Sequence, residues 1–161
     1  MRFEKISKQQ FEKDFNESNS NITYDEIKIP VRATKCSAGY DIFSTKTIHL
    51  RPGDSVKIPT GLRILLDDDK FLMVVPRSGL GFKFRIQLDN TVGIIDADYS
   101  NSDNEGHMWI KIQNEGDKEY IVKKGDAMIQ GIFIKYLKTD DDIETDNIRN
   151  GGIGSTSKKE G

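Results

Sequence analysis

Short apolar runs alternate along this chain with turns built on glycine and aspartate, and that alternation limits the folds open to it. The turns are RPGD (Arg51–Asp54), NEGD (Asn114–Asp117) and KKGD (Lys123–Asp126). Around them lie IKIPVRA, TIHL, SVKIPTGLRILL, KFLMVVPRS, HMWIKIQN, EYIVKK and AMIQGIFIKYL. Glycine reaches positive φ without steric cost and aspartate bonds to its own backbone, so such tetrapeptides reverse the chain. Many short strands at this spacing predict an all-β barrel or double-sheet jelly roll. In HMWIKIQN, Met108, Ile110 and Ile112 recur by twos, the pattern of a half-buried strand. One helix precedes the strands. Ser7 and Gln10 have capping-box spacing, and Phe11 and Phe15 share a helical face, which predicts a helix over about 8–16. NESNSNITYDE reads as a polar connector and KTDDDIETDNI as a tether.

Length and charge narrow the function. The 161 residues suit one domain with a moderate core, since 35% of them are hydrophobic. Lys and Arg number 24 against 26 Asp and Glu, a net charge of -2. That balance argues against a nucleic-acid coat or a membrane-surface protein, both of which need excess positive charge. A small anionic ligand needs only a few local cations. MRFEKISKQQFEKDF has no apolar core and does not read as a signal peptide. The longest clean apolar run, FLMVV (Phe71–Val75), is far too short to span a bilayer. The single cysteine, Cys36, excludes an internal disulfide and a multi-cysteine metal site. A cytoplasmic protein is expected.

Four segments carry residues unusual for an ordinary β-domain. In SAGYDIFS (Ser37–Ser44) a turn of small residues delivers Asp41 to the start of a strand. The bland alternative is a β-turn with a solvated carboxylate. In VVPRSGLGFK (Val74–Lys83) the strand stops at Pro76, and Arg77 and Ser78 meet a glycine-rich turn, the makings of an anion nest. In DNTVGIIDADYS (Asp89–Ser100), Asp96 and Asp98 would share a face of an extended strand. Such a pair binds a hard cation or divides acid and base roles; the alternative is a polar turn, with Tyr99 in the core. The tail, RNGGIGSTSKKEG, joins an arginine and two hydroxyls to three glycines. No lysine follows its last loop glycine and no helix can start there, so it is not a Walker-type phosphate loop. A frayed end or a closing strap remains.

Together and in order, these segments resemble the five motifs of the homotrimeric dUTPases, which hydrolyse dUTP to dUMP and pyrophosphate. AGYDIFS is similar to the first motif, PRSGLGFK to the second, NTVGIIDADY to the third, KKGDAMIQG (Lys123–Gly131) to the fourth and RNGGIGST to the fifth. The resemblance runs from Pro30 to Thr156. It implies a jelly-roll-like distorted β-barrel over residues 1–148, a flexible arm over 149–161 that closes the site, and a homotrimer with shared active sites. It also implies Asp96 as the base that activates water for attack on the α-phosphate. Tyr99 would pack against the deoxyribose and exclude a 2′-hydroxyl. Asn90, with backbone groups of Gly93, Ile94 and Ile95, would read the uracil edge. Arg77, Ser78 and Gly79 would hold phosphates, Gln130 a phosphate or water, and Asp41 a Mg²⁺ through water. From the arm, Arg149 would meet the γ-phosphate, Gly154, Ser155 and Thr156 would add donors, and Ile153 would cover the base.

Two departures from the family pattern stand out. Ile153 occupies the place of a stacking aromatic, and SNSDNE (Ser100–Glu105) intervenes after Tyr99, where a longer surface hairpin is expected. The alternatives are a dCTP deaminase of the same fold, a dUTP-responsive regulatory binding protein, and an oligosaccharide- or nucleic-acid-binding barrel. The third-motif pattern counts against the deaminase, and the net charge and lack of basic stripes against the barrel. An intact Asp96 argues that chemistry is retained, beside which a regulatory role could coexist.

Overall fold

The computed structural model describes residues 1–16, 18, 20–143, 145, 147 and 149–151. Among them the chain is built mostly of strands, all paired antiparallel. The strands are β1 (Arg2–Lys5), β2 (Val31–Arg32), β3 (Tyr40–Phe43), β4 (Ile48–Leu50), β5 (Ser55–Pro59) and β6 (Leu62–Leu65), then β7 (Lys70–Pro76), β8 (Ile86–Leu88), β9 (Gly93–Asp96), β10 (Trp109–Asn114), β11 (Tyr120–Val122) and β12 (Ala127–Lys135). Two α-helices, α1 (Lys8–Asn16) and α2 (Ser78–Phe84), and 3-10 turns at Tyr24–Glu26 and Ala97–Asn101 complete the description. The largest sheet has the order β2-β3-β12-β7-β9; a second has β5-β10-β8, and β1-β6 and β11-β4 form two-stranded ribbons. Ile42, Ile58, Leu72, Ile112 and Ile129 meet between the sheets with almost no exposure. The all-β expectation holds. No helix among the described residues is long and apolar enough to cross a membrane.

Two of the three turns, RPGD and KKGD, form as their residues predict. Gly53 (φ 84°) and Gly125 (φ 86°) take the left-handed region. Asp54 and Asp126 accept hydrogen bonds from the N–H groups of Arg51 and Lys123, each at 3.0 Å. Residue pairs alternate along β10 as expected: Ile110 and Ile112 are buried and Lys111 is exposed. IKIPVRA yields only the two residues of β2. Pro30 lacks the N–H a longer ladder would need.

Helix α1 covers the expected residues, with half the expected cap. The Ser7 hydroxyl accepts from the Gln10 N–H at 3.1 Å. Gln10 turns instead to Asp14, at 2.8 Å, and the Ser7 N–H and hydroxyl are taken by the Glu105 carboxylate at 2.8 and 2.6 Å. Phe11 and Phe15 stack with centroids 4.2 Å apart.

Two expectations are corrected. PRSGLGFK is not only a turn, because Ser78–Phe84 is helical and ends on Arg85 in the left-handed region (φ 52°). Ser100–Glu105 is not a surface hairpin. The 3-10 turn runs to Asn101, Ser102 is buried, and Glu105 (φ 59°) and Gly106 (φ 71°) fold the stretch tightly back. A side chain at Gly106 would meet backbone of Tyr99 and Ser100 within 3.0 Å, so only glycine closes this loop.

Candidate active site

The expected residues gather in two groups along β7, one on its partner strand, opposite Val74 to Phe71, and one just past its C-terminal end. The first lies along β9. In the five-stranded sheet β9 is an edge strand, paired to β7 with Val74 opposite Gly93 and Phe71 opposite Asp96. An edge strand presents unpaired N–H and C=O groups along its outer side. Here that side opens on a cavity of about 540 Å³, lined by Asn90, Gly93, Ile94, Ile95, Tyr99 and Arg149. The connection from β8 to β9 turns through Thr91 (φ 67°), which bridges Leu88. The cavity thus combines apolar walls, an aromatic ring and directional backbone groups, the composition of a pocket for a flat polar ring.

Asp96 ends β9, next in the chain to Ile95, which lines this pocket. Asp98 lies beyond it in the 3-10 turn rather than on a continuing strand. Both carboxylates nevertheless reach one cation. An Arg149 Nη2 donates to Asp96 Oδ2 at 2.5 Å, and its Nε is 3.0 Å from Asp98 Oδ1. The next residue is anchored too. Asn150 accepts from the Asp103 N–H at 3.0 Å and donates to its carboxylate at 2.7 Å. Two charge-assisted contacts therefore hold the start of the tail against its own third motif.

The second group gathers where β3, β12 and β7 end together. Register places Asp41 opposite Gln130, and Gln130 opposite Val75. Arg77 follows β7 and precedes α2. Its Nε lies 3.1 Å from Asp41 Oδ1, and its Nη1 donates to the Ala127 carbonyl at 3.4 Å. The Gln130 amide donates to the Pro76 carbonyl at 3.3 Å. Asp41 is 15% exposed and Arg77 42%, so the carboxylate backs a guanidinium that still faces solvent. Ser78 and Gly79 open α2, where N–H groups lack intrahelical partners. Together with Arg77 they line a cavity of about 400 Å³. Lys83, unremarked in the sequence, adds a second cation there.

The two groups do not meet within one chain. From Phe71, opposite Asp96, to Arg77 runs six residues of extended chain, about 20 Å at 3.3 Å per residue. Among the described residues no cluster of three His, Cys, Asp or Glu could hold a metal ion. Ile153, Gly154, Ser155 and Thr156 lie outside the described residues.

Among the further contributors to the first pocket that sequence reasoning missed are Asn104, Trp109 and Lys57. Lys57 Nζ sits 4.4 Å from the Trp109 ring centroid, a cation–π contact. Behind them His107 is fully buried. Its Nε2 accepts from the Gly61 N–H at 2.9 Å and its Nδ1 faces Asp14 at 2.5 Å. Burial pushes His107 below its ordinary pKa, against the opposing pull of Asp14. The alternation of HMWIKIQN foretold which side of β10 faces outward, and with it Trp109; nothing local to His107 foretold its partner on α1.

Comparison with known proteins agrees with this geometry. The family model for dUTPase matches residues 25–157. The deoxyuridine 5'-triphosphate nucleotidohydrolase of Lactococcus lactis subsp. lactis is 42% identical over 132 residues, 81% of this chain and 88% of that one. The enzyme of the same name from Photorhabdus laumondii is 33% identical over 142 residues, 84% and 90% of the two chains. Among solved structures, the dUTPase from Streptococcus mutans superposes with a TM-score of 0.68 at 30% identity, covering 87% of this chain and 99% of that one. A variant dUTPase from phage phi11 of S. aureus, described for its coordination of a structural Mg(II) ion, superposes with a TM-score of 0.64 at 20% identity, covering 91% and 96%. With its motifs in order and its pocket built on β9, the chain belongs to the dUTPase family.

Proposed function

We propose that this protein hydrolyses dUTP to dUMP and pyrophosphate in sites shared between three copies of the chain, with Asp96 as the base. The observation that carries the reading is the separation of Asp96 from Arg77 along β7. One group offers an edge strand, an aromatic wall and a carboxylate, which suit a nucleoside and an attacking water. The other offers Arg77, Ser78 and Gly79, which suit phosphates. A gap of about 20 Å keeps one chain from applying both to a single α-phosphate. Closed assembly of identical chains brings one group of a chain to the other group of its neighbour.

In such a site Asn90 and the outer edge of Gly93–Ile95 read uracil by hydrogen bonds. The ring of Tyr99 lies against the sugar and leaves no room for a 2′-hydroxyl. Asp96 accepts a proton from a water aligned with the α-phosphorus, a task that requires only hydrogen-bond reach and an ionised carboxylate. Arg77 and the Ser78 hydroxyl of another copy stabilise charge that develops on the leaving pyrophosphate. Asp41 keeps the Arg77 guanidinium oriented, and Gln130 contacts a phosphate or an ordered water. Arg149 leaves Asp96 for the triphosphate, whose greater negative charge outcompetes two carboxylates. The residues from 149 onward close over the nucleotide.

The donor set also fits Mg²⁺. This cation keeps several waters and binds through substrate phosphates and few carboxylates. Asp41, a carboxylate beside the phosphate turn with no acidic cage around it among the described residues, suits a water-mediated contact. The phage phi11 relative's structural Mg(II) lends support at the level of the family. Bound Mg²⁺ supplies neutralisation of phosphate charge.

Pyrophosphate release from dUTP, dCTP, dTTP and UTP with Mg²⁺ tests the reading. Only dUTP is turned over efficiently, and dCTP yields no dUTP. Asp96→Asn lowers turnover by roughly a hundredfold or more, the usual worth of a general base, while dUTP still binds. Turnover within about threefold of the parent, less than any base contributes, removes Asp96 from this role.

A further inference from the structure

The Tyr99 ring can exclude a 2′-hydroxyl only if it cannot tilt away, and the structure shows what holds it. The Tyr99 hydroxyl donates to the His107 carbonyl at 3.0 Å. It accepts from the Asn104 side-chain amide at 3.1 Å. The donor and an acceptor position of the phenol are thus both engaged. Each partner is itself fixed. Asn104 uses its other side-chain atom to accept from the Gly106 N–H at 3.1 Å, and its carbonyl accepts from the His107 N–H at 3.0 Å. His107 is anchored through its buried ring to Gly61 and to Asp14 on α1. Asn104 also lines the nucleoside pocket. It lies in Ser100–Glu105, the stretch whose Glu105 caps α1 through Ser7.

We propose that Asn104 is a positioning residue for sugar selection: it clamps the Tyr99 hydroxyl so that the ring forms a rigid wall against ribonucleotides. The proposal rests on the reading of Tyr99 as that wall. It gives the Ser100–Glu105 stretch a function in the site beyond lengthening a loop. A ring held at one end only by its Cβ swings on χ1 and χ2, whereas a ring bonded at both ends does not. The cost of admitting a 2′-hydroxyl is then the cost of breaking the clamp.

The test is the ratio of kcat/KM for dUTP to kcat/KM for UTP, in the full-length protein. Both substrates carry the same base and triphosphate, so general losses of stability or phosphate binding cancel in the ratio. Asn104→Ala lowers it about fivefold, the worth of one ordinary hydrogen bond, chiefly through better use of UTP. Tyr99→Phe removes both hydrogen bonds of the hydroxyl without touching the loop and lowers it at least as far. The double variant is no worse than Tyr99→Phe, because Asn104 acts only through that hydroxyl. Tyr99→Ala lowers the ratio further. An unchanged ratio in Tyr99→Phe overturns the clamp even if Asn104→Ala fails to fold. Additive losses in the double variant overturn it as well, since Asn104 would then act on the sugar by itself. An unchanged ratio in Tyr99→Ala overturns the reading beneath it.

Discussion

Replacing Asp14 with alanine unpairs a fully buried polar group, the His107 ring. His107 has no exposure, and its Nε2 accepts a hydrogen bond from the Gly61 N–H. That nitrogen therefore carries no proton, and the ring's single proton is on Nδ1, facing Asp14. In Asp14→Ala that N–H stays buried without an acceptor, and the Gln10 amide loses its partner. Leaving one buried donor unmade costs about 2 kcal/mol. For a chain of this size each kcal/mol lowers the melting temperature by roughly 2–4 °C, so a fall of about 6 °C is expected. The same network sets a pH dependence. Burial holds His107 below its ordinary pKa of 6.5, so the folded chain keeps the ring neutral. Above that value the ring is neutral in both states and the stability is full. As the pH falls through it, the unfolded chain takes up a proton that the folded chain refuses, and stability is lost until the folded value is reached. Thermal melts at pH 7.5 and 5.5 check both effects. The parent melts lower at pH 5.5, and His107→Gln loses most of that difference. An Asp14→Ala melting point within about 1 °C of the parent refutes the argument, as does a parent that gains stability on acidification.

Other perturbations separate the fold from the site. A Cβ at Gly39 would lie 2.2 Å from Gln130 Oε1, so Gly39→Ala pushes that flexible side chain aside. KM for dUTP rises while the melting point moves by less than about 3 °C; an unchanged KM detaches Gln130 from the phosphates. A chain ending at Ile148 still folds and binds the uracil edge, but its turnover falls roughly a hundredfold, as expected when oxyanion donors are lost. Full turnover in the truncated chain makes the tail irrelevant to catalysis. Ile153→Phe tightens dUTP binding by about 1 kcal/mol, the scale of an aromatic contact beyond its area, as read by calorimetry.

The strands and turns were legible because their signals are local. Asp54 and Asp126 close turns with N–H groups three residues away, and Ile110 and Ile112 alternate within one strand. Helix α1 was legible for the same reason, but its cap was not: Glu105 reaches Ser7 from 98 residues away. Strand β1 is held by pairing with β6 and by Phe3 against Tyr40 and Phe133, partners far away in the sequence, and its charged residues gave no apolar pattern to read. Helix α2 was hidden by Gly79 and Gly81, poor helix formers whose place is set by the end of β7 rather than by propensity. The motifs were legible, and those of their residues that the structure describes gather in two groups, while Ile153, Gly154, Ser155 and Thr156 lie outside the described residues. The pairing of Arg149 with Asp96 and Asp98 was not foreseen, because the motif resemblance directed that arginine toward phosphate. Asn104 went unnoticed because its importance comes from the hydroxyl of Tyr99, a contact that appears only once the loop folds back.

The central claim is that the carboxylate of one chain works with the phosphate turn of another. Asp96→Asn and Arg77→Ala chains, each inactive alone, test it when refolded together in equal amounts. If each site joins the third motif of one copy to the second motif of a neighbour, a random assembly leaves about one site in four with both residues intact. Pyrophosphate release from dUTP then recovers to about a quarter of the parent's rate under the same refolding. If both residues served one site within a single chain, every site in the mixture would carry a lesion, and mixed assemblies showing no recovery would contradict the account.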